Sequence, residues 1–154
     1  MKTLEEITYE AGRHALADQD AHVAGIRQRT GTLLAAHALV ASFLGSATIR
    51  AQGLDALGSI ALAALVLGLV VAAVLLAPWP LIFAVNARDL YADLVDQANA
   101  DDDTSGWLAG AGYLYQDLRE ENAGTVTRMS RLSGVLGVLM IAQTVAWLLA
   151  LAVG

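Results

Sequence analysis

The chain has 154 residues, of which 56% are hydrophobic, and a formal net charge of −6. This acidic balance argues against a nucleic-acid-binding surface, which needs clustered lysine and arginine. The sequence contains no cysteine, which excludes disulfide bonds, thiolate metal sites and a cysteine nucleophile.

Three long apolar stretches, residues 32–49, 57–77 and 132–153, contain no charged residue. Each is close to the ~20 residues that an α-helix needs to cross ~30 Å of hydrocarbon. Helices of soluble domains usually keep one polar face, and these stretches have none. The sequence therefore predicts an all-α integral membrane protein with three transmembrane helices.

Residues 1–31 are predicted to form a cytosolic amphipathic helix that leads into the first span. Thr3 and Glu6 have the spacing of a capping box at its start. This segment lacks the basic start and short apolar core of a signal peptide, so the first span is expected to be retained. Because no proline separates the segment from the first span, we expect one long helix.

Residues 32–85 are predicted to form a transmembrane hairpin, with spans at 32–49 and 57–77 joined by the short loop 50–56. The motif Pro-Trp-Pro at 78–80 is expected to end the second span, since proline cannot continue a helix. Trp79 is expected at the level of the lipid headgroups.

Residues 86–131 are predicted to form a cytosolic helical insert. Asn86 is a good N-cap for a helix over 87–100, and the aspartates at 101–103 are expected to end it. A further helix is expected to continue into the third span, 132–154. The cytosolic helices are expected to pack into a small bundle.

The arginines predict the orientation, because basic residues near span ends stay in the cytosol. Arg27 and Arg29 precede the first span, and Arg128 and Arg131 precede the third. The basic residue between the first two spans is Arg50. The protein is thus expected to be a multi-pass protein of the cell inner membrane, with the N-terminus cytosolic and the C-terminus outside.

The candidate functional residues are three polar side chains within the predicted spans: His37, Gln143 and Thr144. An ionisable residue inside a span suggests function, and an imidazole there can line a pore or sense pH. The alternative is that His37 hydrogen-bonds to a neighbouring helix, for example to Gln143 or a serine. Gln143 and Thr144 likewise either join helices or line a water path.

Small residues recur four positions apart, a spacing that lets helix backbones approach closely within a chain or between copies. The pairs are Ala41 and Gly45, Ser130 and Gly134, and Ser133 and Gly137. They favour association of the protein into a homo-oligomer.

No cofactor or metal is predicted. The aspartates at 101–103 are consecutive and lack the alternating spacing of a calcium loop, so a solvated helix cap is preferred. His14, Asp18 and His22 share one helix face but are typical of an exposed amphipathic helix. Nucleotide, metalloprotease and nucleophile-elbow motifs are missing, and the chain is predicted not to be an enzyme.

The segments 27–34 (RQRTGTLL) and 128–132 (RMSRL) introduce the first and third spans. In this layout the chain resembles the Pycsar effector transmembrane family, small bacterial membrane proteins implicated in anti-phage defence. That family has an acidic-x-basic motif before the first span. Here Arg27 occupies the acidic position, and Arg29 keeps the basic one.

The resemblance implies an oligomeric effector that perturbs or permeabilises the inner membrane, with a pore-like action in anti-phage defence. Its expected partners are the lipid membrane, other copies of the chain and a cytosolic regulatory protein, but no nucleic acid. The alternatives are a constitutive ion channel and a non-conducting anchor or scaffold for a cytosolic partner.

Overall fold

The computed structural model describes residues 3–83 and 104–153, and in these residues the regular structure is helical. The elements are α1 (Leu4–Val40), a π-helical turn (Ala41–Gly45), α2 (Ser46–Gln52), α3 (Ala56–Leu76) and α4 (Thr104–Val153). The predicted helix over 87–100, its cap Asn86 and the aspartates at 101–103 lie outside the described residues.

Three helical stretches in the described part of the chain are long and apolar enough to cross a membrane. They are Leu4–Ala51, Ala56–Leu76 and Gly106–Val153. For the described residues, this confirms the prediction of a helical protein with three helices of the length and apolar composition needed to span a membrane.

The start of α1 follows the predicted capping box. The backbone N–H of Thr3 donates to Glu6 Oε2 at 3.0 Å, and the backbone N–H of Glu6 donates to Thr3 Oγ1 at 3.3 Å. Two donors that the first helical turn leaves unpaired are thereby satisfied. The prediction of uninterrupted helix into the first span is also confirmed, because α1 continues to Val40 and then through the π-helical turn into α2.

The loop between the first two spans is shorter than predicted. Arg50 belongs to α2, which ends at Gln52, so only residues 53–55 separate α2 from α3. Gly53 ends α2 with a φ of +79°, a conformation that glycine adopts without strain. Asp55 then caps α3 by accepting a hydrogen bond from the Gly58 N–H at 2.7 Å.

Helix α3 ends at Leu76, before the Pro-Trp-Pro motif, as its two prolines predict. Its buried residues are mostly small: Gly58, Ala61, Ala64, Gly68, Ala72 and Leu75. Large apolar side chains such as Ile60, Val66 and Val70 remain exposed. A helix that is apolar on every face is expected to be surrounded by lipid rather than water.

The chain divides into two compact units. Unit 1 consists of Met1–Ala24 and Trp79–Thr127, and unit 2 consists of Gly25–Pro78 and Arg128–Gly154. Every acidic residue of the chain except Asp55 belongs to unit 1.

Within unit 1, α1 and α4 approach each other at two glycines. A Cβ added to Gly12 would lie 2.6 Å from the carbonyl oxygen of Gly112, and one added to Gly112 would lie 3.0 Å from Thr8. The rings of Tyr9 and Tyr115 pack beside this contact, with centroids 5.8 Å apart. The absence of side chains at the glycines thus permits close packing of the two helices.

Candidate functional site

The candidate site lies in unit 2, at a histidine that α1 places inside the protein. His37 is 1% exposed. Its Nδ1 atom hydrogen-bonds with Oε1 of Gln143, and its Nε2 atom lies 3.5 Å from the carbonyl oxygen of Leu136. Both partners belong to α4, so the imidazole links the first and third membrane helices.

Gln143 is fully buried and completes the link in the opposite direction. Its Nε2 donates to the carbonyl oxygen of His37 at 3.2 Å. A carbonyl can only accept, so this bond orients the amide and turns Oε1 toward the imidazole. Oε1 is also only an acceptor, and therefore Nδ1 of His37 is the donor in the bond between them. We call His37 and Gln143 the polar pair.

Helix α3 covers the polar pair with a glycine. A Cβ at Gly68 would lie 3.0 Å from Cε1 and 3.1 Å from Nε2 of His37. A contact at this distance is tighter than nine in ten real Cβ contacts, so the ring would have to shift by a few tenths of an ångström to admit a side chain at position 68. The three membrane helices of unit 2 therefore meet around one imidazole.

A second contact among the same helices surrounds Trp147 of α4, which is 2% exposed. Its indole ring lies against Gly45 at the end of the π-helical turn and against Gly58 of α3, with 3.1 Å and 3.3 Å to the positions of their missing Cβ atoms. Ala61 and Ala146 share this core. The indole Nε1 finds no hydrogen-bond acceptor among the described residues.

The remaining polar candidate, Thr144, does not join helices. Its hydroxyl donates to the carbonyl oxygen of Met140 at 2.9 Å, within α4. Such a bond to the preceding turn satisfies the hydroxyl locally. The structure thus brings His37 and Gln143 together and leaves Thr144 outside the polar pair.

The predicted small-residue positions fall into two groups. Gly45 packs inside unit 2, against Trp147, and Ala41 is half-buried nearby in the π-helical turn. Gly134 and Gly137 have open space where a side chain would be, and Ser130 and Ser133 lie on the same helix, exposed and half-buried respectively. The first group packs helices within the chain, and the glycines of the second leave part of α4 uncovered.

The predicted membrane-interface residues are accessible. Arg27, Arg29, Arg128 and Arg131 are exposed in unit 2, and Trp79 is half-buried in unit 1.

Asn122 of α4 holds the segment that follows Trp79, through two hydrogen bonds to the backbone of Ile82. The Nδ2 atom of Asn122 donates to the Ile82 carbonyl oxygen at 2.8 Å, and its Oδ1 atom accepts from the Ile82 N–H at 3.1 Å.

Sequence reasoning missed Gly68, Trp147 and Asn122 as partners in these contacts. A glycine in the middle of an apolar span and a tryptophan away from the span ends were the available signals. In residues 3–83 and 104–153, no three histidine, aspartate or glutamate side chains are placed to hold a metal ion.

Comparisons with models of known protein families, with characterised proteins and with solved structures find no match to this chain. The class that the fold and the site define is a three-span helical membrane protein with a buried histidine–glutamine link between its first and third spans.

Proposed function

We propose that this protein is a self-associating inner-membrane effector that permeabilises the membrane when triggered, and that the described arrangement is its closed state. The observation that carries the proposal is the polar pair. His37 and Gln143 satisfy each other and are hidden from both lipid and water. They can line a water path only after α1 and α4 separate around them.

The cost of this change supports a triggered action rather than a constitutive channel. A polar group that loses its hydrogen-bond partner inside a membrane costs several kcal/mol. Separation of α1 from α4 around the polar pair therefore needs an event that compensates for this free energy. Association of several copies around a shared water path supplies such compensation, because water and neighbouring polar groups then replace the lost bonds.

The uncovered glycines of α4 support self-association. Nothing lies within 4 Å of a side-chain position at Gly134 or Gly137, and the neighbouring Val138 is 66% exposed. An exposed strip of glycines beside large apolar residues allows the close backbone approach by which membrane helices associate. In this proposal the strip is the contact between copies, and unit 1 receives the regulatory signal.

Cysteine cross-linking in membranes tests the association, since the chain has no cysteine of its own. With a single cysteine introduced as Gly137→Cys, any disulfide formed on oxidation joins two copies. Val135→Cys is the matched control, because Val135 is exposed on the other flank of buried Leu136. Cross-linking at 137 but not at 135 is expected, and equal or absent cross-linking would contradict the proposed contact.

Dye release from liposomes tests the closed state. Purified protein is expected to release little dye, and His37→Ala or Gln143→Ala is expected to raise the release, because either change removes the link between α1 and α4. Thr144→Ala is the control, since its hydroxyl bonds within α4. High release from the unchanged protein would favour the constitutive channel instead.

A non-conducting anchor is the second candidate, and a groove in unit 1 favours it. The groove has a volume of about 410 Å³ and lies between α1 and α4. Its lining includes Ile7, Ala11, Tyr113 and Gln116. Absence of dye release from all variants, together with a stoichiometric protein partner that Tyr113→Asp removes, would establish the anchor. The anti-phage role is an expectation from the family resemblance.

A further inference from the structure

Four exposed arginines lie at one end of unit 2. Arg27 and Arg29 are on α1, and Arg128 and Arg131 are on α4. Each pair comes directly before the apolar run of its helix, which starts at residue 32 on α1 and at residue 132 on α4. We call these residues the arginine cluster.

The packing of α1 on α4 places the four arginines at a common depth. His37 contacts Leu136 and Gln143, and Gly45, which comes later in the chain than His37, contacts Trp147, which comes later than Gln143. Since the contacts advance in the same direction along both segments, the two helices run parallel in unit 2. At ~1.5 Å per residue, both arginine pairs lie roughly 12–17 Å before the level of His37 along the helices. That is about half the thickness of a ~30 Å hydrocarbon core.

The charge of the arginine cluster is not neutralised within unit 2. The one acidic residue of this unit is Asp55, which precedes α3 in the loop at the opposite end and caps that helix. Among the described residues, none of the four guanidinium groups forms a hydrogen bond or an ion pair. With the apolar runs of α1 and α4 placed across a bilayer, these four solvent-accessible cations would lie at the depth of its phosphates.

We propose that the arginine cluster binds the phosphate groups of anionic phospholipids and makes the protein selective for membranes that contain them. A guanidinium group matches phosphate with two parallel hydrogen bonds, so arginine is suited to this ligand. The bound phosphate group is expected to belong to a lipid rather than to free phosphate. The reason is that the arginine cluster borders the apolar surface of α1 and α4, on which the acyl chains of a lipid would lie. Leu39 of α1 and Val138 and Ile141 of α4 are exposed large apolar side chains on these helices.

The proposal rests on the membrane placement of unit 2 and not on permeabilisation, so the two can fail separately. Each basic residue near an anionic surface contributes ~1 kcal/mol, which is about a fivefold change in affinity. Loss of all four charges is therefore expected to reduce the preference for anionic lipid by at least ~10-fold even when the contributions are not additive.

The test is native mass spectrometry of the full chain in detergent, titrated with phosphatidylglycerol or phosphatidylcholine. The unchanged protein is expected to bind phosphatidylglycerol preferentially, and the preference should fall as salt is raised. The variant R27Q/R29Q/R128Q/R131Q should lose the preference, whereas Arg50→Gln, at the other end of unit 2, should keep it. The smaller variant R128Q/R131Q covers the case in which the fourfold variant does not fold.

Three results would overturn the proposal. The unchanged protein could bind both lipids equally, or R128Q/R131Q could retain the full preference for phosphatidylglycerol. Inorganic phosphate could also displace phosphatidylglycerol as effectively as the lipid itself, which would assign the cluster to free phosphate. Dye release plays no part in this readout.

Discussion

The imidazole of His37 lies where a side chain at Gly68 would project, so that a Cβ at this position of α3 would crowd the ring on α1. The ring cannot move aside freely, because both of its nitrogens face α4. A glycine in one span is thereby tied to a histidine in another, and the two positions constrain each other.

Replacing Gly68 by alanine is expected to destabilise the protein. The added Cβ would lie 3.0 Å from His37 Cε1, and crowding of a packed core costs about 1–3 kcal/mol. This outweighs the gain of at most ~1 kcal/mol that alanine brings to a helix. Unfolding of purified protein in SDS measures the change. Gly31→Ala is the control, where open space around the added Cβ predicts no loss of stability.

The polar pair should behave as a coupled unit. His37→Ala or Gln143→Ala leaves the other side chain buried without its partner, and each is expected to lower the free energy of unfolding by about 1–3 kcal/mol. The double variant should lose less than the sum of the two. The double-mutant cycle is expected to give a coupling of about 0.6–1.7 kcal/mol. Strictly additive losses would show that the hydrogen bond contributes nothing.

Asn122 should hold the chain that follows the Pro-Trp-Pro motif. Replacement by alanine removes both hydrogen bonds to Ile82 and exposes that backbone to exchange. Hydrogen–deuterium exchange is expected to speed up at the Ile82 amide by about fivefold or more, since the lost protection corresponds to ~1–3 kcal/mol. Thr127→Ala, whose hydroxyl bonds within α4, serves as the control and should leave this amide unchanged.

Gly12 should tolerate no side chain, because a Cβ there would lie 2.6 Å from the backbone oxygen of Gly112. A backbone atom cannot rotate away as a side chain can, so Gly12→Ala is expected to force α1 and α4 apart in unit 1. Thermal unfolding should begin at a lower temperature. Gly124→Ala, with nothing within 4 Å, should be neutral or slightly stabilising. Equal effects of the two changes would argue against the close approach.

Unit 1 should lose stability at alkaline pH through Tyr115. Burial, with the neighbouring Tyr9, raises the pKa of Tyr115 above its ordinary value of 10.0. The unfolded chain then releases this proton before the folded one, so the contribution is complete below pH 10.0 and is lost as the pH rises through the raised pKa. Tyr115→Phe should weaken this decline, whereas Tyr113→Phe, at an exposed position, should not. Fluorescence-monitored unfolding across this pH range gives the comparison.

The helices and their ends were predictable because local chemistry determines them. Charge-free runs of membrane length, the Thr3–Glu6 capping box and the prolines after α3 act over a few residues. The extension of α2 to Gln52 was missed, since the sequence offered Arg50 as a loop residue and the structure ends the helix at Gly53. The π-helical turn at Ala41–Gly45 was also missed, since it contains no proline or other local signal that would have predicted it.

The sequence by itself therefore determined that this is a helical protein with three membrane-spanning segments, and it singled out His37 and Gln143 as polar residues within them. Only the tertiary structure decided that the two side chains bond to each other, that Gly68 closes over them and that Gly134 and Gly137 remain uncovered. The physical reason is distance along the chain. Hydropathy and capping are local properties, whereas a partner about a hundred positions away is selected by how the helices pack.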